Sequence, residues 1–207
     1  TPEQVRYPIN IASADLDIRK RTLDYLLRSV DVAEILGAQM LQIVPGYGYY
    51  DATEKTSSWD NLVLSMKELC KYAAKKGITV LLEPLQIIES NLVNDRFDAK
   101  RLVDDVQNDA LKIVVDTTHM SLRGEKLEQY FELLGRKVGH IHLNESDQMP
   151  WGEGTLNLDS FLEAMAAYDY DRMFTLEICS LLHYVDADKS FITNFEYVKN
   201  RIINKFY

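Results

Sequence analysis

The chain has 207 residues, 46% of them hydrophobic, which suits one sizeable core and argues against intrinsic disorder. A formal net charge of -9 and the lack of a basic run make duplex DNA or RNA a poor default partner, because polyanions are repelled unless a local basic face or metal cluster compensates. No apolar stretch approaches the ~18 residues that span a bilayer, no secretory or transit leader opens the chain, and two distant cysteines, Cys70 and Cys179, suit a reducing compartment, so a cytoplasmic protein without a membrane partner is expected.

Thr1 in place of Met points to processing or to a chain that begins inside a longer protein. Residues 1–20 carry Pro2, Pro8 and Asn10 without a clear period and predict a loop leading into a helix near Asp17. That helix runs to about Leu36 on a stripe of Leu23, Leu26, Leu27, Val30 and Ala33, with Gly37 placed for a left-handed C-cap. Met40 to Val44 reads as a short strand stopped by Pro45-Gly46. The aromatic loop Tyr47-Gly48-Tyr49-Tyr50 then either walls a ligand or packs onto the body. Ser57 and Ser58 are N-cap candidates for a helix whose buried stripe is Leu62, Met66, Leu69 and Ala73, and which ends at Lys75-Lys76-Gly77. Further helices are expected over about 97–107, 125–134 and 158–168. A last amphipathic helix carries Phe191, Phe195, Val198 and Ile202.

Between these helices lie apolar runs with no helical period, each ending in a group able to bind a metal. Ile78 to Leu82 ends in Glu83, Lys112 to Val115 in Asp116, Val138 to Ile141 in His142, and Met173 to Leu176 in Glu177. A single carboxylate at a strand end also serves as a helix cap or a solvated loop residue. Four ligands on successive strands, each about one βα unit apart, place one donor per strand at the same end. That is where a β/α barrel keeps its chemistry. Three carboxylates and one imidazole suit Mn²⁺ first, with Mg²⁺, Co²⁺ or Zn²⁺ as alternatives. Glu89 and His119 lie close to these ligands in sequence. They are candidates to support the site or touch substrate, or else a solvated carboxylate and a helix-capping histidine. His140 shares the strand parity of His142 and reads as a hydrogen-bonded core residue, while His183 falls in a late loop and is expected to be exposed.

Strands near 41, 80, 114, 140 and 175 alternate with helices across one domain, 1–207. A closed (β/α)8 barrel needs eight strands and about 250 residues. The pattern therefore describes either an open sheet or a partial TIM barrel, and the ligand positions favour the barrel. An opened barrel exposes strand edges and apolar interior. About three more βα units before Thr1, or a partner covering the gap, are therefore expected, and so is a homo-oligomer.

The motifs Leu82-Glu83-Pro84-Leu85, Glu89-Ser90-Asn91, Val115-Asp116-Thr117-Thr118-His119-Met120, His140-Ile141-His142, Gly152-Glu153-Gly154 and Thr175-Leu176-Glu177 resemble those of the xylose-isomerase-like barrel superfamily. Within it the chain is most similar to ketose 3-epimerases of the tagatose or psicose kind, especially fructoselysine 3-epimerases. The resemblance covers essentially the whole chain, from Tyr7-Pro8-Ile9-Asn10 onward, but starts after the family's third strand. It implies a TIM barrel lacking its first three βα units, with Glu83, Asp116, His142 and Glu177 as metal ligands. By the same resemblance Glu83 and Glu177 double as the acid/base pair, and Glu89, His119 and Glu145 contact substrate. Ser146-Asp147-Gln148 lacks the arginine that several sugar epimerases carry after the histidine ligand.

The chemistry expected is inversion of the carbon beside the carbonyl of a ketose or fructosamine through an enediolate. A 1,2-isomerase or dehydratase of the same superfamily uses a similar site and stays open as an alternative. An abasic-site endonuclease shares the fold and the Asp-Thr-x-His pattern, but the acidic balance and the lack of further histidines for a three-metal cluster oppose it. A binding protein without catalysis is the remaining reading.

Overall fold

Strands and helices alternate along the chain because short β-branched runs, bounded by Gly or Pro, separate segments with helical spacing. The computed structural model describes residues 9–48 and 52–206, with the backbone alone for 52–56. Tyr49, Tyr50 and the first eight residues lie outside the described set. The chain divides into two compact units, Thr1–Val114 and Val115–Tyr207. Among the described residues no helix is long and apolar enough to cross a membrane.

In the first unit, α1 (Leu16–Ile35) starts on Asp15, whose carboxylate accepts the Asp17 and Ile18 N–H groups. Its C-terminal turn closes on Gly37 at φ +69°, the left-handed conformation that glycine adopts without steric cost. Of the expected stripe, Val30 and Ala33 are buried, whereas Leu23, Leu26 and Leu27 are half-buried. β1 (Met40–Ile43) pairs in parallel with β2 (Thr79–Leu82), and β2 with β3 (Leu111–Asp116), whose last two residues belong to the second unit. Between β1 and β2 lies α2 (Ala52–Lys75), on which Leu62, Met66, Leu69 and Ala73 are all fully buried, as their spacing predicts. The helix begins earlier than expected, so Ser57 and Ser58 are interior residues and not caps. Ser58 is buried, and a Cβ at Gly48 would stand 3.0 Å from its side chain. Two small residues there let loop and helix meet. α3 (Arg96–Val106) is capped by Asp95 and ends on Gln107 in the left-handed region.

The second unit opens with α4 (Thr117–Leu122), which follows β3 without a spacer because Asp116, the strand's last residue, is itself the N-cap. α5 (Leu127–Leu134) leads through Gly135 to β4 (Val138–His142), all five residues of which are buried. α6 (Leu158–Ala167) precedes β5, a two-residue strand (Phe174–Thr175) parallel to β4 in the register Ile141↔Phe174 and His142↔Thr175. Glu177 thus stands two residues beyond the strand proper. The core here gathers Met120, Leu127, Ile141, Leu143, Trp151 and Leu162. The last helix, α7 (Ala187–Phe206), is the amphipathic helix expected; on its apolar stripe Val198 is buried, and Phe191 and Phe195 remain 54% and 46% exposed. These two phenylalanines line a groove of about 520 Å³ with Phe174 and Leu176, so the spacing identifies an apolar stripe whose outer part stays open.

Candidate metal centre

The second unit brings three of the four predicted ligands together. Asp116 reaches the site because β3 ends on it. Its Oδ1 accepts the His119 N–H at 2.9 Å, which leaves Oδ2 to face inward. His142 is delivered by the end of β4, and Glu177 by the turn after β5. Each offers one ligand atom within 4.8 Å of the others. His142 Nδ1 stands 3.1 Å from Glu177 Oε2 and 3.7 Å from Asp116 Oδ2. That nitrogen is buried. Donor atoms that converge this closely are what a shared cation requires. Two carboxylates and an imidazole form a donor set suited to a divalent ion.

The electrostatics agree. The imidazole of His142 beside Glu177 holds that carboxyl down at about 2, against the opposing effect of burial, with smaller help from Cys179 and Asn144. Glu177 is therefore a charged acceptor over the neutral range. Its two oxygens differ: Oε2 faces His142, whereas Oε1 lies 3.5 Å from Cys179 Sγ on the more open side. Both cysteines are free thiols, Cys70 buried and Cys179 exposed. Burial and the Glu177 charge push the Cys179 thiol up to about 11.

In the first unit Glu83 follows the last residue of β2, buried at 6% exposure, with its N–H donated to the Ile43 carbonyl. Gln42 Nε2 donates to Glu83 Oε2 at 2.7 Å. Glu89 is exposed and turns back to accept the Gln86 N–H through Oε2 at 3.3 Å. The loop that carries it is stiffened by Asn94, which donates to the Leu85 and Ser90 carbonyls.

The remaining predicted residues fall as follows. His119 is buried on α4, and the capping relation is the reverse of the alternative weighed for it: Asp116 caps the helix through the His119 N–H. Glu145 is 1% exposed, and its carboxylate is held within its own loop by Ser146 and by the Leu156 N–H at 2.7 Å. His140 is buried with Nε2 2.7 Å from Thr175 Oγ1, the core role its parity suggests. Burial, with His142 nearby, lowers its pKa. His183 corrects the expectation of exposure. Its side chain is 16% exposed, and its two ring nitrogens face Ser190 Oγ at 3.0 Å and Glu153 Oε2 at 3.3 Å because a 3₁₀ turn folds it onto α7.

Two polar residues were not singled out by sequence. Gln42 is one. The other is Asn144, 1% exposed, whose Nδ2 donates to Asp116 Oδ2 at 2.7 Å and to Glu177 Oε2 at 3.4 Å while its Oδ1 accepts the Glu177 N–H at 2.9 Å. The signal was present: Asn144 continues the i, i+2 parity of His140 and His142.

Comparisons with known proteins bear on this geometry. A family model described as xylose isomerase-like TIM barrel matches residues 3–200. Fructoselysine 3-epimerase of Shigella flexneri is 29% identical over 187 residues, covering 87% of this chain and 67% of its own length. L-ribulose 3-epimerase of Methylomonas sp. (strain DH-1) is 28% identical over 170 residues, covering 81% of this chain and 59% of its own length. The chain thus spans about three fifths to two thirds of these relatives. The crystal structure of D-allulose 3-epimerase from Methylomonas sp. superposes with a TM-score of 0.83 at 26% identity, over 93% of this chain and 73% of that one.

Proposed function

Because the chain belongs to the xylose isomerase-like TIM barrel family, we propose that it is a metal-dependent epimerase that inverts the carbon beside the carbonyl of a ketose or fructosamine. The observation that carries the reading is the convergence of Asp116, His142 and Glu177 at the ends of their strands. Sugar 3-epimerases among the relatives support the substrate class. Glu83 is assigned as the fourth ligand on its buried place at the end of β2 and on the sequence pattern. The family match across nearly all of the chain supports treating 1–207 as one partial barrel domain.

A bound divalent cation, Mn²⁺ first by this donor set, supplies Lewis acidity that lowers the energy of the enediolate. The chain's own residues do the rest. Glu177, ionised at neutral pH, offers Oε1 to the hydrogen on the carbon beside the carbonyl. The C–H electron pair moves into the carbon–carbon bond as the proton passes to Glu177. Glu83 delivers a proton to the opposite face, and in the reverse direction the two exchange roles. Glu89 and His119 are assigned to substrate. Glu145 is assigned to hold the loop after β4, since its carboxylate is already taken by Ser146 and Leu156.

The test is a metal-loaded screen over ketoses and fructosamines in D₂O, read by NMR. Inversion at the carbon beside the carbonyl with one solvent deuterium placed there is the expected result. Aldose formation would assign a 1,2-isomerase instead, and metal uptake without turnover on any substrate would leave a binding protein.

A further inference from the structure

We propose that Asn144 is a positioning residue that aims Glu177 as base and holds the metal-free site in its binding geometry, an inference that rests on the epimerase reading for its catalytic part. The backbone of Asn144 is fixed first. Its N–H donates to Thr117 Oγ1 at 2.7 Å, and that hydroxyl donates to the Asn144 carbonyl at 2.6 Å, which ties the residue to the first turn of α4 next to Asp116. The side-chain amide is then oriented by its surroundings. Only the oxygen can accept the Glu177 N–H, so the amide NH₂ must face the carboxylates. Its two hydrogens are directed to one oxygen each of Asp116 and Glu177.

This arrangement answers a physical problem of the site. Two carboxylates that converge on one point repel each other when no cation lies between them, and each would turn away. A neutral residue with two donors, buried between them, removes that tendency without adding charge. The hold on Glu177 is double, through its backbone N–H and its Oε2, and it leaves Oε1 on the open side. Asp116 has a second anchor in the cap of α4, so Glu177 depends more on Asn144 than Asp116 does.

The experiment compares wild type, Asn144→Ala and Thr117→Val. Thr117 anchors the same backbone but touches neither carboxylate, so it reports the purely structural effect. Mn²⁺ affinity by calorimetry should fall about 10- to 100-fold in Asn144→Ala and by less than about threefold in Thr117→Val. At saturating Mn²⁺, solvent exchange of the substrate hydrogen is then followed separately from each of the two epimers. Loss of aim at Glu177 should slow exchange from one epimer at least tenfold more than from the other, whereas a general structural defect slows both alike. Asn144→Ser, which keeps one donor, replaces the alanine variant if that one does not fold, and should lie between the two extremes. Mn²⁺ affinity within twofold of wild type, or equal slowing from both epimers, would overturn the proposal. If wild type turns over no ketose at all, the epimerase reading fails while the affinity comparison still decides the role of Asn144 at the metal site.

Discussion

Gly154 gives a sharp test of how the loop after β4 is held. Its backbone has no left-handed conformation to protect, yet a Cβ placed there would overlap the Glu145 carboxylate and Ser146 Oγ. In Gly154→Ala the Glu145 carboxylate must swing aside. It is 1% exposed, so it gives up the Leu156 N–H and the Ser146 contacts without reaching water. Hydrogen bonds to a carboxylate contribute roughly 1.5–3 kcal/mol, and forcing atoms into a packed site adds about 1–3 kcal/mol. A loss of about 3–5 kcal/mol follows. For a chain of this size that lowers Tm by roughly 6–20 °C. The control is Gly124→Ala, where φ is +69° but a Cβ meets nothing within 4 Å, so only the backbone cost of about 1 kcal/mol applies. Thermal and urea unfolding of the two variants measure the difference. If Gly154→Ala costs no more than Gly124→Ala, the account of Glu145 as the pin of this loop is wrong.

Two further outcomes follow from the ligand cluster. Mn²⁺ at about 100 times its Kd should stabilise the protein by about 2.7 kcal/mol, and His142→Ala should abolish most of that shift in a thermal scan; an unchanged shift would remove His142 from the ligand set. Acid unfolding of the metal-free protein tests Glu177. Its folded value of about 2 lies below the ordinary 4.5, so its contribution is fully present above pH 4.5 and is lost as pH falls through about 2. Its side chain is 35% exposed, so solvent screening reduces the effect to about 1–2 kcal/mol. Wild type should exceed Glu177→Gln in stability by that amount near pH 6, and the two should converge near pH 2. A difference that stays constant with pH would contradict the hold of His142 on the Glu177 carboxyl.

The sequence by itself determined the alternation of strands and helices and the residues that end each strand. A buried strand is an apolar run of fixed length, so Asp116 and His142 stand out as the first groups that such a run cannot hide. Helix ends were legible to within a few residues where a cap or a glycine marks them, as at Gly37 and Gly135. They were not legible at α2, where Ser57 and Ser58 look like caps but lie inside the helix. Cap and interior use the same residue types, and only the space beside Gly48 distinguishes them.

Tertiary structure decided what each polar residue is for. Strand parity shows which way Asn144 points, but nothing local in the sequence of Asn144, Glu145 or Gln42 separates a loop amide or carboxylate in water from one that holds a ligand. Their partners lie far along the chain: Asn144 meets Asp116 and Glu177, 28 and 33 residues away, and Gln42 meets Glu83, 41 residues away. A hydrophobic period records which face of an element is buried, because burial needs only apolarity. It does not record register, and register sets which donor meets which carboxylate. The same limit applies to α7, whose apolar stripe is plain in the sequence although its exposure depends on what lies opposite.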